Sequence, residues 1–242
     1  MLNIRAKLRN LSTFSRYFCP VCEKKVECWL PFTRDVGGGK YRLEPEGRLC
    51  PHCGSFERTR DFILYLHQTD ALKAMPRFLH FAPERGLEHR LRTVLGDRYE
   101  TIDLFAPEVD HRQDITAMTF GDCVFDFIYC SNVLEHVEND SLAMKELFRI
   151  LRKGGKAYIQ VPIKDGATYE NILITTPDER TIHFGQADHV RYYGRDIIDR
   201  LTSTGFIVEE KYMPEPLGLT AVDIKRMNLG KKELVHLCVK PT

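Results

Sequence analysis

Two Cys-x-x-Cys pairs near the start of the chain constrain its fold more than any other feature. Cys19 and Cys22 form the first pair, Cys50 and Cys53 form the second, and 27 residues lie between the pairs. Zinc favours four soft ligands in a tetrahedron, and each pair can present two thiolates from one tight turn. The spacing therefore predicts a zinc ribbon in which all four cysteines hold one structural zinc ion.

Two alternative interpretations of these cysteines stay open. Cys28 and His52 are alternative zinc ligands, and they rank lower because neither completes a Cys-x-x-Cys pair. The other alternative is a set of free or redox-active thiols. Redox Cys-x-x-Cys motifs normally occur singly beside a βαβ unit, so this alternative is the weaker one.

The composition limits where and how the protein can work. The remaining cysteines are scattered through apolar segments and no secretory signal follows the basic start of the chain, so we expect a cytoplasmic location. A net charge of +1 gives no overall signature of nucleic-acid binding. No apolar run approaches the roughly 20 residues that a membrane-spanning helix requires.

The order of predicted elements divides the chain into two parts. Residues 1–54 are expected to hold a short N-terminal helix and the ribbon, and a helix capped by Ser55 leads into a larger domain of residues 55–242. In that domain, strands are predicted at residues 78–81, 99–104, 109–113, 125–130, 156–161, 206–211 and 234–239, and helices at residues 87–95, 141–151 and 194–204.

This alternation predicts an α/β fold with a doubly wound, mostly parallel sheet of seven strands, similar to a Rossmann fold. No clear helix separates the last two predicted strands, which favours an antiparallel edge. Residues 164–193 interrupt the alternation with a polar segment that contains several His and Tyr residues. Long excursions of this kind are commonly lids or substrate loops, so we call residues 164–193 the lid segment.

The carboxyl ends of the strands are where such a sheet binds its ligand. The second predicted strand leads to Asp103, about 20 residues after the loop of the first strand, where an acid can accept hydrogen bonds from both ribose hydroxyls of an adenosine. Asp114 can accept a hydrogen bond from an adenine amino group, while Ile115 packs on the ring. We therefore expect an adenosine-containing cofactor at this edge of the sheet.

Three segments of the larger domain carry a resemblance to a known family. They are Phe-Asp-Phe-Ile at residues 125–128, Val-Leu-Glu-His-Val at residues 133–137 and Leu-Arg-Lys-Gly-Gly at residues 151–155. In this order they resemble the class I methyltransferases that use S-adenosylmethionine, and the resemblance extends over about residues 78–240. Residues 79–84 and 184–191 look like a bacterial subgroup of methyltransferase type 11 domains. The resemblance implies a Rossmann-like methyltransferase sheet and S-adenosylmethionine as the cofactor.

The chain departs from this family at its glycine loop. His80, Ala82 and Glu84 stand where the family has an acid and its first two glycines, and Gly86 alone matches the pattern. Ala82 still allows the backbone to approach the cofactor closely. Glu84 is expected either to pair with the ammonium group of the methionine moiety or to cap the following helix. Ser131, after the strand at residues 125–130, completes the expected cofactor contacts.

Two histidines are candidates for a general base that removes the proton of the methyl acceptor. His136 follows the strand end near which the family places the methyl group, and an ordinary histidine pKa suits proton removal near neutrality. An anchoring role at the start of the next helix is the alternative for His136. His189, in the lid segment, is the second candidate.

The lid segment also offers residues that can bind the acceptor. Arg191 can hold an anionic acceptor through two hydrogen bonds, and Tyr169 and Tyr193 can line the same wall. A place in the hydrophobic core is the alternative for Tyr193.

These observations favour a methyltransferase that acts on O or N of a small molecule such as a sugar or a glycan precursor, with the ribbon on one side of the acceptor site. The alternative is a methyltransferase of the ribosomal RNA type, whose ribbon binds RNA. Basic and aromatic ribbon residues support that alternative, and interspersed acids oppose it. The supporting residues are Lys24, Lys25, Trp29, Arg34, Lys40 and Arg42. A binding module without catalysis is a third interpretation, and the intact Asp103 and Asp114 argue against it.

Overall fold

The computed structural model describes residues 16–35, 41–74, 77–230 and 233–242. The predicted N-terminal helix lies outside these residues, except that Tyr17 and Phe18 belong to a strand. No helix within the described part of the chain is long and apolar enough to cross a membrane.

Two antiparallel hairpins build the N-terminal ribbon. The first pairs β1 (Tyr17–Cys19) with β2 (Lys24–Val26), and the second pairs β3 (Leu30–Asp35) with β4 (Tyr41–Leu49). The first Cys-x-x-Cys pair forms the turn between β1 and β2, and the second follows β4 directly. Each pair is therefore placed in a turn beside a strand end.

A seven-stranded sheet forms the centre of the larger domain. The strands that follow the ribbon are β5 (Phe78–Phe81), β6 (Tyr99–Asp103), β7 (His111–Arg112), β8 (Phe125–Ser131), β9 (Leu151–Gln160), β10 (Tyr169–Glu170), β11 (Arg191–Tyr192), β12 (Ile207–Met213) and β13 (Glu233–Val239). The sheet has the order β12-β13-β9-β8-β5-β6-β7. Strands β5 to β9 pair in parallel, while β12 and β13 are antiparallel to their neighbours. The predicted fold class, a mostly parallel seven-stranded sheet with an antiparallel edge, is confirmed.

Outside the lid segment, four helices agree with the prediction. Two others, Ala71–Ala74 and Ala221–Arg226, were not predicted, and the second lies between β12 and β13, where no clear helix was expected. The helices are α1 (Glu57–Gln68), α2 (Ala71–Ala74), α3 (Arg85–Leu95), α4 (Asp140–Ile150), α5 (Pro177–Phe184), α6 (Ile197–Ser203) and α7 (Ala221–Arg226). Helix α5 was not predicted. It lies in the lid segment and begins with a capping box in which the Thr176 hydroxyl accepts from the Glu179 amide. Strands β10 and β11 pair with each other on either side of it.

Helix α1 joins the ribbon to the sheet. Its buried Phe62 stacks on Tyr129 of β8 at a ring-centroid distance of 4.0 Å, and it meets Tyr158 of β9 edge-on at 4.6 Å. The ribbon residues Phe18 and Val26 are buried in the same hydrophobic cluster. A second cluster covers the other face of the sheet with helices α4 and α6. The ribbon is thus part of one continuous core rather than a loosely attached appendage.

The buried Arg60 of α1 strengthens this junction. Its guanidinium donates to the carbonyls of Ser55 and Asn228 at 2.6 and 2.7 Å, and it lies 4.2 Å from the centre of the Trp29 ring. A buried charge is tolerated when most of its donors are bonded in this way, and here the buried Nε lacks a partner among the described residues. The prediction that Ser55 caps α1 was wrong, because the N-cap residue is Phe56 and the Ser55 hydroxyl lies against cysteine sulfurs instead.

Candidate functional site

The four predicted zinc ligands come together in the ribbon. Their sulfur atoms all lie within 4.8 Å of one another, with Cys19 Sγ 3.7 Å from Cys53 Sγ and Cys22 Sγ 3.8 Å from Cys50 Sγ. Zinc–sulfur bonds of about 2.3 Å in a tetrahedron place the sulfurs about 3.8 Å apart. A disulfide would need about 2.05 Å. The spacing of the thiols therefore fits a bound zinc ion and excludes disulfides.

The two Cys-x-x-Cys turns have the same backbone geometry. The residue after each pair, Glu23 or Gly54, has a positive φ, and its amide donates to the carbonyl of the first cysteine of its pair at 2.8 Å. The Ser55 hydroxyl lies 3.3 Å from the sulfurs of Cys19 and Cys53. Hydrogen bonds to metal-binding thiolates orient them, so Ser55 supports the ligand set. The lower-ranked alternatives, Cys28 and His52, are exposed and stand outside this cluster.

The residues predicted to hold the adenosine lie at adjacent strand ends. Asp103 ends β6, and its Oδ1 accepts hydrogen bonds from the amides of Phe105 and Ala106 at 2.7 and 2.8 Å. Asp114 follows β7, where its Oδ1 accepts from the Thr116 amide and hydroxyl at 2.8 Å. Ile115 beside it is buried. Both carboxylates are therefore held in fixed turns at the carboxyl edge of the sheet.

The structure shows what each residue of the atypical loop after β5 contacts or adopts. Ala82 adopts a left-handed conformation with φ of 49°, which a glycine would adopt without strain. Glu84 pairs with Arg58 of α1 at 3.0 Å and lies 3.6 Å from His80. Burial raises the pKa of Glu84, but these partners outweigh burial and lower it overall. Gly86 is required by packing, because an added Cβ would lie 2.4 Å from the Cys53 carbonyl oxygen.

A cavity of about 890 Å³ opens beside this edge, between the ribbon and the lid segment, and we call it the ribbon–lid cavity. Phe32 and Arg48 of the ribbon line one side. Asn132 after β8, Gln160 at the end of β9 and residues 184–189 of the lid segment line the cavity as well. Arg58 connects the cavity with the loop after β5, because it lines the cavity and binds Glu84.

Both predicted base candidates line this cavity. His136 belongs to a 3-10 turn, Leu134–His136, that follows β8, and its ring centroid is 4.7 Å from that of His189. The Nδ1 atom of His136 is 3.2 Å from the carboxylate of Asp188. Burial lowers the pKa of His136, but the hydrogen bond to Asp188 outweighs it and the net shift is upward. Beside them, burial raises the pKa of Glu135.

The residues predicted to bind the acceptor do not line the cavity. Arg191 is buried and donates to Glu170 at 2.7 Å and to the carbonyls of Leu134 and Glu138 at 3.1 and 2.8 Å. Tyr193 is buried and bonds to the carboxylate of Asp140 at 2.7 Å, as its core alternative implied. The hydroxyl of the exposed Tyr169 is 2.9 Å from His183. Arg191 and Tyr193 thus fasten the lid segment to the turn that carries His136 and to the start of α4, whereas Tyr169 bonds within the lid segment.

Several residues that line the cavity were not indicated as such by the sequence. Lys164 lies 3.2 Å from the centre of the Tyr192 ring, and Arg58 lies 4.5 Å from that of Phe56. Each pair puts a cation on an aromatic ring at the cavity wall. No local pattern marks these residues, because they come from separate elements that meet only in the folded chain.

Ser131 is buried at the end of β8, where its hydroxyl bonds to Gln160 at 3.2 Å.

Comparison with known proteins supports a methyltransferase. Residues 58–159 match the family model of the methyltransferase domain. No curated protein matches the chain. Among solved structures, an S-adenosylmethionine-dependent methyltransferase from Archaeoglobus fulgidus is 14% identical with a TM-score of 0.51, and the match covers 77% of this chain and 95% of that one.

Two further structures are similar at lower TM-scores. The 1,6-didemethyltoxoflavin-N1-methyltransferase of Burkholderia thailandensis, with its bound substrate and S-adenosylhomocysteine, has a TM-score of 0.48 and 15% identity over 87% of this chain and 99% of that one. A chain from the complex of the Haloferax volcanii Trm112 methyltransferase activator with a methyltransferase has a TM-score of 0.49 and 16% identity. The match covers 76% of this chain and 94% of that one. The domain match over residues 58–159 indicates a methyltransferase, and the fold agrees with it.

Proposed function

We propose that this enzyme transfers the methyl group of S-adenosylmethionine to an oxygen or nitrogen atom of a small molecule, such as a sugar or a glycan precursor. The observation that carries the proposal is the ribbon–lid cavity of about 890 Å³, because ribbon, strand ends and lid segment line a space of the size typical of small-molecule sites. A small acceptor bound there would be shielded from water.

The cofactor is expected beside the cavity, at the ends of β5, β6 and β7. Asp103 would accept hydrogen bonds from the ribose hydroxyls, and Asp114 with Ile115 would hold the adenine. Ala82 and Ser131 border the same edge. The loop after β5 contributes through the Glu84–Arg58 pair, since a cofactor with both an ammonium and a carboxylate can be bound by an acid and a base placed side by side.

The bound cofactor supplies an activated methyl group on a positively charged sulfur. The chain then has to orient the acceptor and assist the loss of its proton. His136 and His189 line the cavity where β8 ends, so we place them next to the reacting atom of the acceptor. The imidazole of His136 is oriented by Asp188, and the hydrogen bonds of Arg191 hold the turn that carries it.

The ribbon has two roles in this proposal. One zinc ion, bound by Cys19, Cys22, Cys50 and Cys53, would keep the ribbon folded, and the ribbon would supply Phe32 and Arg48 to the acceptor. RNA binding by the ribbon is less well supported. Trp29, the only tryptophan of the chain, packs on Arg60 in the core and is thereby less accessible for stacking on a base.

Incubation with S-adenosylmethionine labelled in its methyl group tests the proposal. The purified enzyme is mixed in parallel with a small-molecule metabolite fraction and with total RNA, and the Asp103→Ala variant serves as the control for cofactor-dependent labelling. We expect the label in a small molecule, and less of it with Asp103→Ala than with the wild-type enzyme when S-adenosylmethionine is limiting. Label that enters RNA alone would overturn the choice of acceptor, and an enzyme that binds no S-adenosylmethionine would overturn the function itself.

A further inference from the structure

Glu135, His136 and His189 bring three metal-ligating groups to one point of the ribbon–lid cavity. Their ligand atoms all lie within 4.8 Å of one another. Two imidazoles and one carboxylate are a donor set typical of sites for Zn²⁺ and Fe²⁺ with open coordination positions. We propose that these three side chains bind one divalent transition-metal cation, and that this cation holds a hydroxyl group of the acceptor. The inference rests on the proposed function, since the acceptor occupies this cavity.

The distances fit such a site after small rotations of the side chains. Bonds from a cation of this class to nitrogen and oxygen are about 2.0–2.2 Å long, which places the ligand atoms about 3–4 Å apart. The atoms of the three residues span up to 4.8 Å. His136 and His189 already face each other edge to face, with ring centroids 4.7 Å apart.

The carboxylate of Glu135 gives an independent indication of a ligand. The residue is 1% exposed, and its Oε1 accepts a hydrogen bond from Asn132 at 3.1 Å. Its Oε2 is buried without a hydrogen-bond partner among the residues that the structure describes. A buried polar atom left in this state destabilises the fold. A cation bound by Oε2 would remove this destabilisation.

The surroundings of the two histidines also match a metal site. A histidine that binds a metal through one ring nitrogen usually donates its other ring N–H to a carboxylate or carbonyl. Asp188 lies 3.2 Å from Nδ1 of His136, which assigns Nε2 of this ring to the cation. The Val190 amide donates to the Glu135 carbonyl at 2.9 Å and thereby holds the neighbouring His189 beside Glu135. The lid segment and the end of β8 thus complete the site together.

Such a cation narrows the class of acceptor to a hydroxyl compound. Three protein ligands leave coordination positions open to the cavity, and a hydroxyl oxygen bound there loses its proton to solvent more readily. This oxygen then forms the bond to the methyl carbon as the S–CH₃ bond breaks, and the electron pair of that bond stays on the sulfur. Both imidazoles assist the proton loss as ligands of the cation.

Mn²⁺ binding tests the site, because Mn²⁺ favours nitrogen and oxygen ligands over thiolates and leaves the ribbon cluster undisturbed. Electron paramagnetic resonance measures the free Mn²⁺ during titration of the full-length enzyme. We expect one bound Mn²⁺ in the wild type and at least tenfold weaker binding in Glu135→Gln and His189→Ala. His183→Ala is the matched control, because His183 is an exposed histidine of the same lid segment and bonds to Tyr169. This variant should bind Mn²⁺ as tightly as the wild type.

A wild-type enzyme that binds neither Mn²⁺ nor Co²⁺ outside the ribbon would overturn the metal site. Binding in Glu135→Gln and His189→Ala as tight as in the wild type would do the same. Circular dichroism and ribbon zinc content establish that each variant is folded, and if Glu135→Gln fails to fold, His189→Ala decides. Calorimetry of S-adenosylmethionine without added cation keeps the proposed function separate, because the cofactor should bind whether or not the metal site exists.

Discussion

Two clusters of metal-ligating side chains occur among the residues that the structure describes, and they differ in how the chain assembles them. In the ribbon, each Cys-x-x-Cys turn contributes two ligands from one short segment, and the two turns have the same backbone geometry. In the ribbon–lid cavity, Glu135 and His136 come from the end of β8, whereas His189 comes from the lid segment 53 residues later. The first cluster is visible in the sequence, and the second exists only after the lid segment has folded over the sheet.

The two clusters also differ in their surroundings. The ribbon cluster is packed into the core that α1 shares with the sheet, and Cys19 and Cys50 are buried. The cavity cluster borders open space, where an acceptor can reach it. A buried site with four protein ligands stabilises a fold, while a site with three ligands and open positions is suited to chemistry. Changes in the ribbon should therefore affect stability, and changes in the cavity should affect turnover.

The largest expected effect is the loss of a ribbon ligand. Cys50→Ser should release the zinc and destabilise the protein by more than about 4 kcal/mol, because metal binding and folding of the ribbon are coupled. Urea unfolding with parallel zinc analysis measures both quantities. The matched control is Cys28→Ser, whose exposed sulfur stands outside the cluster. If Cys50→Ser and Cys28→Ser have the same free energy of unfolding, zinc bound by the ribbon does not stabilise the fold.

The cavity cluster should show the opposite behaviour. His136→Ala and His189→Ala should each lower turnover on the identified acceptor roughly a hundredfold, because both side chains lie where the acceptor loses its proton. Their unfolding free energies and their affinities for S-adenosylmethionine should stay near the wild-type values. Steady-state kinetics, with calorimetry for the cofactor, checks this. Full turnover in both variants would mean that methyl transfer here depends on positioning alone.

Asp103→Ala should leave both clusters intact and weaken cofactor binding by about 1–3 kcal/mol, because the ribose hydroxyls lose their acceptor. Asp103 also accepts from the amides of Phe105 and Ala106, so Asp103→Asn is the control that keeps one oxygen for this turn. Calorimetry with S-adenosylhomocysteine measures both variants. If the alanine variant binds as tightly as the wild type, Asp103 does not contact the cofactor.

A smaller effect tests the contact between the ribbon and the larger domain. Gly86→Ala should destabilise the protein by about 1–3 kcal/mol, because its Cβ would lie 2.4 Å from the Cys53 carbonyl oxygen and the two elements would have to separate. Gly121→Ala is the control, since its Cβ would meet only Val124 Cγ2 at an ordinary 3.8 Å. Thermal unfolding of the two variants decides whether this close approach is required.

The sheet could be predicted because its central strands contain short apolar runs that are separated by helix or turn signals, although β7 (His111–Arg112) is polar. All seven predicted strands are present, including the short β7. Helix α5 was missed although Thr176 and Glu179 form a recognisable capping box, because the polar composition of the lid segment favoured a loop. Residue patterns thus predicted the sheet, and closer attention to the capping box would have predicted helix α5.

The roles of single residues were harder to predict, since they depend on contacts between distant segments. Arg191 has the chemistry of an anion-binding residue, but burial and carbonyl partners turn it into an anchor for the turn at His136. The Gly86 position follows a family pattern for cofactor binding, yet in this chain the Cys53 carbonyl accounts for the glycine. The cavity-lining Arg58 was missed because it belongs to the helix that links the two parts of the chain.

A crystal structure of the enzyme with S-adenosylhomocysteine tests the central claim most directly, because it shows where the cofactor lies relative to the two clusters. We expect the ribose hydroxyls within hydrogen-bond distance of Asp103 and the adenine beside Ile115. The sulfur should face the ribbon–lid cavity, on the side of His136. A ribose bound away from Asp103, or a sulfur that faces away from this cavity, would contradict the proposal that methyl transfer takes place between the ribbon and the lid segment.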